Sequence, residues 1–486
     1  MRAALAAAVL AALALASTAA AFTPTDPLAP KQWYLQQDHA FDAWPDGPPT
    51  FANPVKVALV DSGVDCKLPD FAGRIAAARS FVGGDPCLDT DGHGTFVAGI
   101  VAANVDGGGI VGIAYTAQLL VAKVVKTDGT IPLEAESRAI RWAADSGARV
   151  INLSLGGVRD PVHPTRDTYS QEEADAVAYA NAKGALVVAA VGNGDEATYE
   201  PYPYASYPAA LPHVLGVGAL TQSGDVPDYS NRDAVFNDLS APGSAIFSTF
   251  PSQLTGLRPT CTDQGFSDCG TKDYETPEGT SFAAPQVTAA AAVLFELLPT
   301  LTSSQAAYIL EHSTDDVNAA TGCPRCALGR DRFSGWGRLD IAKAVGALSG
   351  PLPPADTYET NDDAGSAAHV LWGQTQSFSA TLDYYDDPVD VYRVEVRKGQ
   401  TLKVAVNASW TGANVSVELW RPGTRKVDVP ANVPKLRAAQ SAGGSATPHI
   451  AFRAPATGWY YVEVKTGSPG AGSYALKLAK TTPLSH

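Results

Sequence analysis

Three short stretches of the 486-residue chain carry side chains that together could break an amide bond. Val57-Ala58-Leu59-Val60-Asp61-Ser62-Gly63-Val64-Asp65 is an apolar run that closes on a carboxylate, the pattern of a buried parallel strand ending at Asp61. Asp91-Gly92-His93-Gly94-Thr95 sets an imidazole between two glycines, just before a helix expected over Phe96 to Ala103. Gly279-Thr280-Ser281-Phe282-Ala283-Ala284-Pro285 places a hydroxyl at the mouth of an apolar segment, Val287 to Leu298, expected to be a buried helix. A helix N-terminus favours an alkoxide through its dipole and its unpaired N–H groups. Pro285 is expected in the first turn, where its missing N–H costs no bond. Alone, Ser281 reads equally well as a capping residue. A hydroxyl nucleophile needs a base, and the base needs a carboxylate to fix its tautomer and stabilise the imidazolium. The three stretches supply that set, each at a strand end or helix start, where open α/β sheets gather their sites.

Two further segments end on groups that suit the same chemistry. Val150-Ile151-Asn152-Leu153-Ser154-Leu155-Gly156-Gly157 is a strand running into a glycine turn. A second strand, Ala185 to Val191, delivers Gly192-Asn193-Gly194. An amide at a strand end is by itself a turn former; beside a nucleophile it can donate to a developing oxyanion.

With its blocks in the order Asp61, His93, Ser281, the chain resembles the subtilases, the subtilisin-like serine peptidases, and most closely their thermitase-type branch, from about Phe22 to Leu348. The resemblance implies an α/β fold, a seven-stranded parallel sheet with helices on both faces. Asp61, His93 and Ser281 become the triad, and the Asn193 side chain with the Ser281 N–H becomes the oxyanion hole. Ser154, Leu155 and Gly156 are expected to pair with substrate as an added strand and, with Gly192 and Ser206, to wall the pocket for the residue before the scissile bond. Tyr202, Tyr204 and Tyr207, with Ser206, fall where the resemblance places the base of that pocket. With no buried acid there, the expected preference is broad or apolar and aromatic, while Asp195 and Glu196 could bias the rim towards basic residues. Phe96, Phe282 and Gln286 depart from the residues common at their positions. The resemblance also implies a structural calcium ion held by Asp26, Asp70 and Asp106, with Asn104, Gly108 and Ile110 from the glycine-rich loop turning oxygens inward.

Composition is consistent with these expectations. A net charge of −15 argues against nucleic acid as a partner. Residues 1–21, with Arg2, an Ala/Leu-rich run and Ala19-Ala20-Ala21, read as a secretory signal. No cysteine near the cleavage point can take a lipid, no later stretch is expected to span a bilayer, and no room is left before Asp26 for a folding propeptide. Six cysteines suit an extracellular compartment. They allow 15 connectivities; proximity favours Cys66–Cys87, Cys261–Cys269 and Cys323–Cys326. The peptidase domain is expected over 22–348 and a Pro-rich linker over 349–355. Beyond it the hydrophobic period changes to two: Tyr392, Val394, Val396; Leu402, Val404, Val406; Val415, Val417, Leu419; Tyr460, Val462, Val464; Tyr474, Leu476, Leu478. Residues 356–486 are therefore expected to form a small all-β, jelly-roll-like sandwich. Asp356-Thr357-Tyr358-Glu359-Thr360-Asn361-Asp362 and Thr457-Gly458-Trp459-Tyr460-Tyr461-Val462 resemble bacterial pre-peptidase C-terminal domains.

The expected function is that of a secreted serine endopeptidase acting on proteins or peptides, monomeric and without a membrane partner. Two other readings stand beside it: a ligase that passes the acyl group to an amine, and a non-catalytic protein that binds substrate or cell-surface material through its sandwich.

Overall fold

The apolar run that ends at Asp61 is the central element of the structure, a computed structural model that describes residues 22–44, 54–194, 201–255, 278–365, 368–427 and 433–481. The expectations for residues 1–21, Asp195, Glu196, Cys261 and Cys269 lie outside the described residues. Strands β1 (Lys56–Asp61), β2 (Ile75–Ser80), β3 (Gln118–Lys123), β4 (Ala148–Leu153), β5 (Leu186–Ala190), β6 (Val214–Leu220) and β7 (Leu239–Pro242) form one parallel sheet in the order β2-β3-β1-β4-β5-β6-β7. Side chains alternate across β1. Val57 and Leu59 enter the core that holds helices α1 (His93–Ala102) and α4 (Thr280–Leu297), whereas Ala58 and Val60 face α2 (Leu133–Asp145) and α3 (Gln171–Ala182). Helices α5 (Ser303–His312) and α6 (Ile341–Ala347) complete the first face. Both faces are covered, so the strands read as continuous apolar runs rather than alternating ones. The chain builds outward from β1 to β3 and β2 on one side and to β4 on the other. The crevice beyond the carboxyl ends of β1 and β4 is therefore the topological switch point, where such sheets bind ligands.

Helix α4 differs from the sequence expectation in a way that matters for the site. It begins at Thr280, not at Val287, so Pro285 is the sixth helical residue and not part of the first turn. Proline there removes the N–H that would pair with the Ser281 carbonyl. The Ser154 hydroxyl takes over, donating to that carbonyl at 2.7 Å. The helix is also long and apolar enough to cross a membrane, contrary to expectation, but it is buried inside the core.

The second unit is a sandwich of two sheets. Strands β8 (His369–Leu371), β10 (Val389–Val396), β12 (Val415–Trp420), β13 (Arg437–Gln440) and β15 (Gly458–Thr466) form one, in the order β13-β12-β15-β10-β8. Strands β9 (Thr375–Asp383), β11 (Thr401–Ala408), β14 (His449–Arg453) and β16 (Ala471–Thr481) form the other, in the order β14-β11-β16-β9. Pairing is antiparallel except for β8, which runs parallel to β10. All fifteen alternating residues picked from the sequence are buried between the sheets. The sandwich meets the peptidase unit through His213, whose Nε2 lies 2.8 Å from Asp362, and through Arg330, which stacks 3.5 Å above the Tyr385 ring. Cys66 is bonded to Cys87 and Cys323 to Cys326.

One packing choice is costly. Glu136 of α2 and Glu173 of α3 are 3 % and 2 % exposed and lie side by side. Burial, with the charge of Glu173, holds the Glu136 carboxyl well above its ordinary range; burial also raises Glu173. A folded-state pKa above the unfolded one contributes stability at acid pH that is lost as pH rises through the folded value. Replacing Glu136 by Gln keeps the hydrogen bond and removes one ionisation. Glu136→Gln is therefore expected to gain at least about 1 kcal/mol over the parent at pH 9 relative to pH 5, read as the difference in urea unfolding free energy. A constant difference across that range would contradict the shared-proton pair.

Candidate active site

Asp61 ends β1 at 3 % exposure, so its charge must be satisfied by the protein. The Ser62 backbone N–H donates to Oδ1 at 2.7 Å, and His93 Nδ1 lies 2.8 Å from Oδ1 and 3.0 Å from Oδ2. His93 is the first residue of α1, one turn earlier than expected, and Gly92 precedes it at φ 104°. That glycine allows the sharp entry and the close approach of Phe250, whose ring would stand 2.3 Å from a Cβ at position 92. Burial pushes the His93 imidazole down, but the charge and hydrogen bond of Asp61, reinforced by Asp91 and Asp89, win and hold it up to about 9. Nδ1 is thereby committed to Asp61, and Nε2 faces the other way.

Ser281 is the second residue of α4, with its hydroxyl donating to the Ser154 carbonyl at 3.2 Å. No bond joins it to His93 in this state, although Phe282, the next residue, stacks against the His93 ring at 5.6 Å. Such bonds commonly tighten only with substrate bound. A chain of hydrogen bonds fixes the nucleophile's backbone: Thr288 Oγ1 donates to Asn152 Oδ1 at 2.9 Å, Asn152 Nδ2 to Ser154 Oγ at 2.9 Å, and Ser154 Oγ to the Ser281 carbonyl. Sequence reading missed Asn152 and Thr288 in this role, since each looks like an ordinary polar residue within a core element.

Asn193 stands across from Ser281. Its Oδ1 accepts from the Thr280 backbone N–H and hydroxyl, both at 2.8 Å. A backbone N–H can only donate, which fixes the amide orientation and turns Nδ2 to the cleft. Nδ2 has no protein acceptor among the described residues. The cleft, about 130 Å³, is lined by Ser281, Asn193, Thr280, Leu155, Gly156, Val158, Ala190, Gly192, Gly194, Tyr202, Ser206 and Asn231. Gly192 must be glycine: a Cβ would meet Ser206 Oγ at 2.3 Å. Among the described residues the peptide groups of Leu155 and Gly156 make no backbone hydrogen bond, while Gly157 pairs with Tyr207. An unpaired edge of this kind can accept an added strand. Of the three tyrosines expected at the pocket base, only Tyr202 lines it; Tyr204 packs on Tyr202, and Tyr207 on Tyr169. Asn231, which the sequence did not single out, takes the floor, with Nδ2 donating to Ser206 Oγ at 3.2 Å. No charged side chain lines the cleft among the described residues.

The six residues expected around an ion also come together, in an uneven way. Asp26, 2 % exposed, accepts from the N–H groups of Asp106 and Gly107 through Oδ1, while its Oδ2 is buried without a partner among the described residues. Asp70 accepts from Ile110 N–H at 3.3 Å; burial first, then the Asp106 and Asp26 charges, push its carboxyl up to about 6. The backbone carbonyls of Asn104, Gly108 and Ile110 accept no hydrogen bond among the described residues. Only the carbonyl of Asn104 is available, because its side chain is bound to Arg74, Pro69 and Ala72. An orphaned carboxylate oxygen, two neighbouring acids and three free carbonyls fit a hard cation. A second carboxylate group, Asp356, Glu359, Asp387 and Asp390, closes to within 4.8 Å in the sandwich beside the fully buried side chain of Asn361, which adjoins Asp390. The sequence carried its signal in the acidic opening Asp356 to Asp362, but nothing there joined it to Asp387 and Asp390.

Comparison with known proteins agrees with the fold. A model of the bacterial pre-peptidase C-terminal domain matches residues 388–466. Thermitase of Thermoactinomyces vulgaris is 32 % identical over 327 residues, 67 % of this chain and 99 % of that one. The cell wall-associated protease of Bacillus subtilis (strain 168) is 34 % identical over 315 residues; the match covers 61 % of this chain but only 31 % of that longer protein. A solved protease from Pseudoalteromonas arctica PAMC 21717, 24 % identical, superposes with a TM-score of 0.52 over 67 % of this chain and 99 % of its own, a likeness of fold. The subtilase family model matches residues 52–337, the segment that carries the parallel sheet, Asp61, His93, Asn193 and Ser281, so the chain belongs to the subtilase family of serine endopeptidases.

Proposed function

We propose that the protein is an exported endopeptidase that cleaves polypeptides through an acyl-enzyme on Ser281. The observation that carries this reading is the His93 ring held by both oxygens of Asp61 and set against Phe282, the residue after Ser281, while the Ser281 hydroxyl and the unpartnered Asn193 Nδ2 line one cleft. A substrate strand pairs with the free peptide groups of Leu155 and Gly156, laying its scissile carbonyl over Ser281. Ser281 exchanges its bond to Ser154 for one to His93 Nε2. His93 takes the Oγ proton as Oγ attacks the carbonyl carbon, and the imidazolium is stabilised by Asp61. The negative oxygen receives hydrogen bonds from Asn193 Nδ2 and the Ser281 N–H, donors already oriented before the reaction. His93 returns the proton to the leaving amine; water, deprotonated by the same His93, then frees Ser281. Leu155, Val158, Ala190 and Tyr202 suit an apolar or aromatic side chain before the scissile bond.

Export is supported by the signal-like residues 1–21, by the two bridges and by the cell-wall association in the name of one relative. The change of period after the Pro-rich segment supports boundaries at 348 and 356. Asp26, Asp70 and Asp106 with the Asn104, Gly108 and Ile110 carbonyls would hold calcium, which would tie the N-terminal segment to two core loops. The Asp356 group offers a second cation site in the sandwich.

Two experiments test these roles. Ser281→Ala should lower kcat by about 10⁶ and escape labelling by a sulfonyl fluoride, while an apolar residue at 193 should lower kcat by ~10²–10³ with KM nearly unchanged, both magnitudes being those of subtilisin itself. Full proteolysis by Ser281→Ala, or a KM effect alone at 193, would contradict the mechanism. Removal of calcium by a chelator should lower Tm and speed autolysis, because an ion bound only to the native state stabilises it in proportion to its concentration. Asp106→Ala, an exposed position, should blunt that response; an equal Tm drop in both proteins would place the ion elsewhere.

A further inference from the structure

Asp89 takes no part in the chemistry above, yet it is fully buried beside it and its two oxygens accept five hydrogen bonds. Oδ1 receives the Ser62 hydroxyl at 2.9 Å and the N–H groups of Asp91 and Gly92 at 3.1 and 2.9 Å. Oδ2 receives the Thr95 N–H at 2.9 Å and the Thr95 hydroxyl at 2.7 Å. These donors belong to two structures that have to meet. Ser62 directly follows Asp61 and donates its own N–H to the Asp61 carboxylate, while its hydroxyl oxygen accepts the Gly94 N–H at 2.9 Å. Gly92 and Thr95 flank His93, and the Thr95 hydroxyl oxygen accepts the Asp65 N–H at 2.9 Å. One carboxylate thus fastens the loop leaving β1, which carries Asp61, to the turn entering α1, which carries His93. The fit leaves little slack, since a Cβ on Gly94 would stand 2.1 Å from the Gly63 carbonyl and 3.1 Å from Asp61 Oδ1.

The hydrogen-bond pattern also fixes the charge. Backbone N–H groups only donate, and they face both oxygens: Asp91 and Gly92 on one side, Thr95 on the other. A proton on either oxygen would be set against one of them. Burial first, with the Asp61 charge, raises the Asp89 carboxyl above its ordinary range, and the Thr95 and Gly92 bonds oppose that rise. The geometry of these donors favours the charged form, a second buried anion next to Asp61.

We propose that Asp89 is a positioning residue for the catalytic pair: it sets the separation and angle of Asp61 and His93, and its buried charge favours the His93 imidazolium. The inference rests on the peptidase reading of Asp61, His93 and Ser281. Among the described residues the charged groups acting on His93 are Asp61 on β1 and Asp89 and Asp91 on the preceding turn; Lys123 on β3 bonds the Ser62 carbonyl next to Asp61, and Phe282 of α4 is an uncharged neighbour.

The test is Asp89→Asn in the full-length protein, with kcat expressed per site titrated by a sulfonyl fluoride. An amide has one acceptor where the carboxylate has two, so its NH₂ must face a backbone N–H on one side, and the Asp61–His93 geometry should slip. The expected result is a kcat lower by about 10- to 100-fold, the scale of a small misplacement of catalytic groups, with KM within roughly twofold. The acid limb of kcat/KM should move to lower pH by roughly 0.5 or more, because one negative charge near the imidazolium is gone. Ser62→Ala cuts only the strap from Asp89 to Gly94 and leaves the charge: kcat should fall while the acid limb stays. A merely structural Asp89 would lower Tm and leave both kcat per titrated site and the acid limb in place, and that result overturns the proposal. Should Asp89→Asn fail to fold, an unchanged kcat in Ser62→Ala overturns it. Asp61→Asn separates the two levels: its full activity would sink the peptidase reading itself, whereas its strong loss beside an unaltered Asp89→Asn profile would sink only the role of Asp89.

Discussion

A carboxylate at the end of a central strand, almost fully out of water, is the constraint from which the rest of this structure follows. Asp61 is costly to bury and has no lysine or arginine paired with it among the described residues. What offsets the cost is a backbone N–H and both ring contacts of His93. Pairing the anion with an imidazole rather than a fixed cation leaves a group that can gain and lose a proton. The fold must then bring a helix start to the end of β1, and the parallel sheet does so at its switch point, between β1 and β4.

Two helix N-termini converge there, α1 with His93 and α4 with Ser281. Each is bought into place by local exceptions to good helix chemistry. Gly92 turns the chain into α1 under the Phe250 ring. Pro285 deletes a bond inside α4, and Ser154 restores it from the end of β4, so a defect in one element becomes a tie between two. The same Ser154 carbonyl rests the Ser281 hydroxyl until substrate arrives. Asn193 is oriented by Thr280, one residue before the nucleophile, so the oxyanion donor and the attacking atom share one support.

Much of this was legible because the chemistry-bearing residues sit at element ends, where sequence punctuation is strongest. Asp61, His93, Asn193 and Ser281 each end or precede an apolar run or flank a glycine, and the structure gathers the last three elements around the end of the first. The sandwich was legible for the opposite reason: period-two alternation at Tyr392, Val394 and Val396 or Leu402, Val404 and Val406 needs no context to be read. What escaped was long-range. The supporting bonds from Asn152, Thr288 and Asp89, the pocket floor at Asn231 and the carboxylate group around Asp390 join segments far apart in the chain, and no local pattern marks them. Helix starts were misplaced by a turn or more because a buried helix begins where its N-terminal N–H groups find partners, not where the apolar run begins. Three tyrosines looked alike in sequence; only Tyr202 points to the cleft, since Tyr204 and Tyr207 were taken up by aromatic neighbours.

The central claim is that the buried Asp61 charge governs His93. It is tested most directly by following the ring nitrogens of His93 by NMR in the full-length Ser281→Ala protein, which cannot digest itself. The account predicts that the imidazolium persists well above the ordinary 6.5, to about 9, with the Nδ1 proton retained throughout. With Asp61→Asn added, the midpoint should fall by a unit or more, since burial is then opposed only by the weaker Asp91 and Asp89 charges. A midpoint at or below 6.5 with Asp61 in place would contradict the account.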